Sequence, residues 1–481
     1  MNRILRHLLL LLFSVWLFSC TGQTPPPSKA QRAIQHFASD TELKHASIGF
    51  LARDLSSGKT IAQHQAEKSL APASTLKLLT TATALEILGP DFQFSTQIAH
   101  NGKVLPSGQL NGNLYLIGGG DPTLASKYFP LQKDILSHWR KKMQEYPITS
   151  IQGKLAIVEN CYDQELPRTW IWEDIANYYG AMIHSISYRD NTYTLFFESG
   201  PAGTPTKIHK IDPPLNEIEF KNQVISSSVN RDQAYIFGGP ESSSRIIKGS
   251  IPQKRKNFKV KGALPYPGKI LRNDFQSELE QSGIPIRGKS LEKDIVSSPL
   301  TVLWEHRSPK LSDIVYQTNQ KSINLFAEHL LCQIGVQVYQ KGNLSHGLQA
   351  MKEFWKGNKM DIQGIQLFDG SGLSRFNAIN ASFLTKVLVY MTHSPNSSAF
   401  RNSLPIAGKS GTLKNFARGT VLENKLQAKT GSMQGVRCYS GYLPNSKGKL
   451  IAFTLIINNY NCSPSALSEK VKQLLIKIYY S

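Results

Sequence analysis

Apolar residues at Ala30, Ala33, Ile34 and Phe37 recur at helical spacing and predict a short helix over residues 28–38. The pattern then switches to ASIGFLARDL and TIAQH around SSGK, which reads as two strands joined by a glycine-containing turn. STLKLLTTATALEIL follows, apolar on most sides, and predicts a buried helix that stops at Gly89–Pro90. At the other end of the chain, GVRCYSGYLP and LIAFTLIINN flank NSKGK as a second hairpin. A closing helix comes after it, with Ser463 as N-cap, Pro464 in the first turn and Leu467, Val471, Leu474 and Ile478 on one face. Hairpins and helices of this kind at both ends can share one antiparallel sheet with helices packed on it. The two ends are therefore expected to form one domain.

The middle has another texture. From about Phe92 to Gly288, short alternating runs such as NLYLIGGG, KLAIVEN and EIEFKNQVISSS are separated by Gly, Pro and Asn clusters, as in a β-rich module. No repeat of fixed period is present. Helical periodicity returns from Thr301, in LSDIVYQTNQKSINLFAEHLLCQIG. The expected architecture is an α/β (α+β) domain from residues 30–91 and 295–481, an antiparallel sheet with helices, interrupted by a large β-rich insertion over 92–294.

The first residues stand apart. Arg3 and Arg6 precede LLLLLFSVWLF, which is too short to span a bilayer and reads as an export signal over residues 1–20. It ends at LFSC, with Cys20 at the position of a lipidated cysteine, and residues 21–29 form a Pro-rich tether. The chain is thus expected in the periplasm or cell envelope, either lipid-anchored at Cys20, with that anchor as its membrane contact, or simply cleaved and released.

Composition changes this picture little. A hydrophobic content of 40% over 481 residues suits a soluble globular protein and speaks against a polytopic membrane fold. The formal net charge is +21. In an exported chain without a nucleic-acid-binding motif, that charge points to anionic wall polymer or lipid headgroups, or serves solubility, rather than to nucleic acid. Cys161, Cys332, Cys438 and Cys462 are too scattered for a disulfide scaffold and read as core thiols with one optional bridge. No Cys/His spacing resembles a zinc site, the twelve histidines form no ligand pair, and neither metal nor cofactor is expected.

Candidate chemistry starts at Ser74 and Lys77. A lone Ser-x-x-Lys means little, since Ser56/Lys59, Ser290/Lys293 and Ser446/Lys449 have the same spacing in turn-like or charged surroundings. Ser74 and Lys77 differ because i,i+3 spacing at a helix start puts both on one face, where a dry environment favours a neutral amine. Ser322-Ile323-Asn324 stands at the head of an amphipathic helix, and Lys429-Thr430-Gly431 on a strand-like segment before the last hairpin. Together the three form the Ser-x-x-Lys, Ser-x-Asn, Lys-Thr-Gly set of penicillin-binding proteins and class A β-lactamases. A peptide-acylated serine needs a base, a proton route to the leaving amine and a cation for the substrate carboxylate. Glycine after Lys-Thr is expected to let substrate lie against the strand edge. Lys409-Ser410-Gly411 and Ser228/Asn230 are rival matches in loop and β-rich contexts, and are set aside. Asp121 reads as a turn former, Asp369, Ser371 and Arg375 as loop buttresses, and the aromatics of WIWEDIANYY as insert core.

The match extends beyond the three motifs. LYLIGGGDPTL, PRTWIWEDIANYYGA and GSIPQKRKNFKVKGALP in the insert, with DGSGLSR, LPIAGKSGTL and AKTGS in the catalytic part, resemble blocks of the penicillin-binding protein 4-type (class C low-molecular-mass) D-alanyl-D-alanine carboxypeptidase/endopeptidase family. The 248-residue separation of Ser74 from Ser322 is also similar to that family. Ile323 stands where the family often has Asp, at a position that points away from the chemistry. The resemblance implies a serine peptidase acting on peptidoglycan stem peptides through an acyl-enzyme, with β-lactams as inhibitors. It implies Ser74 as nucleophile, Lys77 as general base and Ser322, bonded toward Lys77, as proton relay. Asn324 would bind the substrate's amide, and Lys429 and Thr430 its carboxylate, with Lys429 also keeping Lys77 neutral by repulsion. Gly431 and Ser432 would border the substrate, and the backbone N–H groups of Ser74 and Ser432 would hold the oxyanion. The alternatives are a non-catalytic peptidoglycan-binding scaffold, or a β-lactamase or esterase on the same fold.

Overall fold

The structure, a computed structural model, describes residues 27–289 and 299–481. The export signal over 1–20, Cys20, residues 21–26 of the tether and the Ser290/Lys293 pair lie outside the described residues.

Helix α1 (Lys29–Ala38) starts where Ser28 Oγ accepts the Gln31 N–H at 3.0 Å, and buries Ala30, Ala33, Ile34 and Phe37. Such a cap is worth about 1 kcal/mol. Strands β1 (Ser47–Asp54) and β2 (Thr60–His64) form the first hairpin. A 3-10 turn over Ala73–Leu76 leads into α2 (Lys77–Leu88), capped at Gly89. After the insert come α3 (Leu311–Lys321), α4 (Asn324–Tyr339), α5 (Leu344–Gly357) and α6 (Ala381–His393). The chain closes with β3 (Gln427–Met433), β4 (Val436–Pro444), β5 (Leu450–Asn458) and α7 (Pro464–Tyr479), whose N-cap Ser463 accepts the Ala466 N–H.

The two ends interlock in one antiparallel sheet of order β3-β4-β5-β1-β2. β1 pairs with β5 along its whole length, from Ser47 opposite Asn458 to Asp54 opposite Ile451. Both sheet faces are covered, so β5 reads as an almost unbroken apolar run and is buried from Ile451 to Asn458. Ala452 and Ile456 join the core shared with α2, α4 and α6, while Ile451, Phe453, Leu455 and Ile457 join α1 and α7 on the other face. β3 is an edge strand, paired with β4 alone apart from a bridge between Gln427 and Ile406.

The insert is β-rich as expected, but two helices, Ile135–Met143 and Pro267–Gln281, pack Trp139 against Phe275 in its core. Its four-stranded sheet runs 301–307, 95–100, 114–118, 155–158. Thr301–Arg307, expected on the catalytic side of the 294/295 boundary, is thus hydrogen-bonded to Ser95–His100 and lengthens the insert. The periodic helix that follows it masked a short strand exposed at Thr301, Val302 and Arg307. A second expectation also changes. Of the WIWEDIANYY aromatics, Trp170 is buried, whereas Trp172 and Tyr178 are 57% and 52% exposed, so they are not insert core. Cys161, Cys332, Cys438 and Cys462 are free thiols, and the optional bridge does not form.

Candidate active site

Ser74 sits in the 3-10 turn that precedes α2. Ala73, just before it, takes a left-handed backbone (φ 44°), a conformation that costs an L-residue about 1 kcal/mol. The turn is held on the sheet by Asn458 at the end of β5, whose side chain accepts from Ala71 N at 2.8 Å and donates to Ala71 O at 3.1 Å. Thr75 Oγ1 closes it by donating to Pro72 O. One turn on, Lys77 is fully buried. Its Nζ lies 3.0 Å from Ser74 Oγ, 2.6 Å from Asn324 Oδ1 and 2.7 Å from the Ser371 carbonyl. Burial lowers its pKa to about 7, against an upward pull from Asp369 and Glu328. A lysine in this state can accept a proton from the hydroxyl beside it.

Ser322 and Asn324 reach the same place through a break between helices. Ser322 has φ 58° and ψ 44°, which ends α3 and lets α4 begin at Asn324 in a new direction. Ile323 between them packs into the core. Two details differ from the expected wiring. Ser322 Oγ is bonded to Lys429 Nζ at 2.8 Å, while the bonds of Lys77 run to Ser74, Asn324 and Ser371. Asn324, expected to face substrate, here gives Oδ1 to Lys77 and Nδ2 to the Tyr179 carbonyl of the insert at 2.8 Å. A buried ammonium needs acceptors more than an exposed peptide does, and Asn324 supplies one.

The third segment is the edge strand β3. Lys429 is fully buried, and its Nζ also donates to the Thr430 carbonyl at 2.8 Å. Burial first, then repulsion from Lys77, holds its pKa well below the usual lysine range. The repulsion thus registers on Lys429, whereas burial accounts for the lowering at Lys77. Two ammonium groups so enclosed cannot both stay charged without a counter-anion. Thr430 Oγ1 donates to Thr412 Oγ1 at 2.8 Å. Thr412 belongs to the turn that follows Lys409-Ser410-Gly411, which forms a loop and 3-10 turn beside the strand. Gly431 serves a purpose other than the one expected. A Cβ there would lie 2.7 Å from Pro72 O and 3.1 Å from Ser74 N, so the glycine admits the Ser74 turn itself. Ser432, next along the same edge, is exposed.

The loop Asp369–Ser374 completes the pocket, and its part was only half visible in sequence. Asp369 accepts from Gly372 N, Ser374 N, Asn377 Nδ2 and, across the insert boundary, Trp170 Nε1. Its buttress reading matches these bonds. Glu328, one helical turn after Asn324, was missed. It is buried and accepts from Gly370 N at 2.9 Å and Ser371 N at 2.8 Å, one on each oxygen. Burial and the Asp369 charge push its pKa up, while these donors favour the ionised form. Gly372 (φ 81°) lets the loop cross the turn, since a Cβ there would meet Ala73 O at 2.0 Å.

A serine hydroxyl beside a dry lysine, a second serine–lysine pair facing it and an open strand edge define a serine acyl-transfer enzyme on a DD-peptidase fold. Residues 30–477 match the D-Ala-D-Ala carboxypeptidase 3 (S13) family, and the chain belongs to it. It is 29% identical to a D-alanyl-D-alanine carboxypeptidase of Actinomadura sp. (strain R39) over 90% of this chain and 82% of that one. It is 27% identical to D-alanyl-D-alanine carboxypeptidase DacB of Haemophilus influenzae over 89% and 88%. The crystal structure of penicillin-binding protein 4 (dacB) from Haemophilus influenzae superposes with a TM-score of 0.80, at 24% identity, covering 93% of this chain and 99% of that one. The same protein has been solved in complex with a β-lactam. The chain is accordingly a serine-type D-Ala-D-Ala peptidase, a hydrolase of the penicillin-binding class.

Proposed function

We propose that the chain cleaves the D-Ala-D-Ala end of peptidoglycan stem peptides, trimming them or opening cross-links, by the following division of labour. Ser74 Oγ attacks the carbonyl of the penultimate D-alanine, and Lys77 takes its proton. The backbone N–H groups of Ser74 and Ser432 receive the developing oxyanion at the gap that Gly431 keeps narrow. Lys429, once protonated, pairs with the terminal carboxylate, and Thr430 donates to it. That carboxylate is the counter-anion for Lys429, whose neighbouring charge is the cation Lys77. The proton held by Lys77 passes to the departing amine, which leaves as D-alanine, through Ser322, whose hydroxyl must first turn from Lys429 toward Lys77. Water then attacks the acyl-enzyme, Lys77 again taking the proton, and Ser74 is regenerated. For Asn324 to contact the substrate amide, it must give up its bond to Tyr179. A β-lactam enters as a mimic of the same end and stays on Ser74. The lipid anchor at Cys20 belongs to this reading too, as the device that keeps the enzyme at the envelope.

The observation that carries the reading is Lys77 Nζ, fully buried and 3.0 Å from Ser74 Oγ. Fluorescent penicillin should label the wild-type chain, while Ser74→Ala should show none with its melting profile retained. Release of D-alanine from a stem pentapeptide should disappear with it. A folded, unlabelled wild-type protein would return the chain to the scaffold reading. Rapid turnover of penicillin without D-alanine release would make it a β-lactamase.

A further inference from the structure

The sheet face away from Ser74 carries α1 and α7, packed antiparallel. At one end of this pair Lys470 is neutralised by Asp40 at 2.6 Å and Glu42 at 2.9 Å. The opposite end, where α1 begins and α7 ends, is built differently. A groove of about 430 Å³ there is lined by Lys29, Arg32, His36 and Lys477, with Ile476 and Tyr480 beside them. No lining residue is acidic. α1 contains no Asp or Glu, and the one acid of α7, Glu469, is paired with Lys472. Among the described residues, none of Lys29, Arg32 and Lys477 has a carboxylate partner. Tyr480 is 56% exposed and offers an apolar ring with a polar tip.

The position of this groove along the chain gives it an occupant. α1 opens nine residues after Cys20, across the Pro-rich segment TGQTPPPSK. Nine extended residues reach about 30 Å at most. With Cys20 lipidated, as proposed above, the tether keeps the groove within that distance of the bilayer. We propose that the groove docks on the anionic phosphate headgroups of that bilayer, with Lys29, Arg32 and Lys477 over the phosphates and Tyr480 at the headgroup level. Each Lys or Arg near such a surface strengthens binding several-fold, and the effect fades with salt. Docking through this face also sets orientation. The Ser74 pocket lies on the other side of the sheet, so a docked enzyme presents its cleft away from the lipid, toward the wall.

Vesicle flotation tests this, using the mature chain with Cys20→Ser so that no acyl chain contributes. Binding to phosphatidylglycerol/phosphatidylethanolamine vesicles is expected at low salt and absent with phosphatidylcholine alone. The double variant Arg32→Glu/Lys477→Glu should lose at least about tenfold in partition. Its labelling by fluorescent penicillin in solution should stay at the wild-type level, which shows that it is folded and keeps the reading independent of catalysis. Equal partition of variant and wild type would overturn the proposal, as would equal binding to zwitterionic vesicles. If the variant instead loses binding to isolated peptidoglycan sacculi while its vesicle binding is unchanged, the groove belongs to the wall polymer and the proposal fails.

Discussion

On the proposed mechanism, Lys77 serves as the base because of where its amine is kept. In water its pKa is 10.5, and burial brings it to about 7. The neutral form attacks nothing itself but must be present for Ser74 to lose its proton. Above pH 7 most of the enzyme is therefore ready, and below it the ready fraction falls about tenfold per pH unit. The rate constant for acylation by a fluorescent penicillin, measured from pH 5 to 9, should show an acid limb centred near pH 7. An acid limb centred between pH 4 and 5 would give the base role to a carboxylate. That Ser74, Lys77, Ser322, Asn324 and Lys429 come together was legible from spacing and order along the chain. Their wiring was not: nothing in Ser-x-Asn tells that the serine bonds to Lys429 and the asparagine to Lys77, because that depends on a left-handed residue between two helices.

At the scale of elements, α4 works as a bracket. Its first residue, Asn324, holds Lys77 directly, and Glu328, on the same face one turn later, holds Gly370 and Ser371, whose carbonyl holds Lys77 from the other side. Glu328 touches no reacting atom and is a positioning residue. In Glu328→Gln one oxygen still accepts, and the amide nitrogen confronts the second N–H, leaving a buried donor unsatisfied at about 1–3 kcal/mol. Stability should fall by that order, and acylation by more than about tenfold as the Ser371 carbonyl drifts. Loss of the carboxylate charge also removes an upward pull on Lys77, so the acid limb should move to lower pH. Thermal melts and the pH profile read the two effects separately, and an unmoved limb would leave Glu328 a purely structural acid. Sequence concealed this residue because an acid in an amphipathic helix ordinarily faces water. The hairpins, the cap at Ser463 and the shared sheet were legible, since each rests on local pattern.

For the whole molecule, the question is whether the insert is a passenger or a wall of the site. Its Tyr179 carbonyl holds Asn324, its Trp170 indole holds Asp369, and Tyr162, Ala181 and Ile183 are buried in one core with α2 and α4. The strand Thr301–Arg307 then closes the insert sheet and leads within a few residues into α3, the helix that ends at Ser322. Composition hid this coupling: the insert's β-rich texture suggested a separate body, and Trp172 and Tyr178 suggested a core that the fold exposes. Cores that share residues unfold together, whereas domains joined by linkers melt apart. Calorimetry of the mature chain should accordingly show the catalytic part and the insert sheet in one main transition. A covalent β-lactam on Ser74 stays attached in both states but makes its pocket contacts only in the folded one, and should raise that transition as a unit. Two resolved transitions, with acylation moving one and leaving the other in place, would mean that the insert merely leans on the site it borders. In that case the bonds from Trp170 and Tyr179 would be too weak to couple the two.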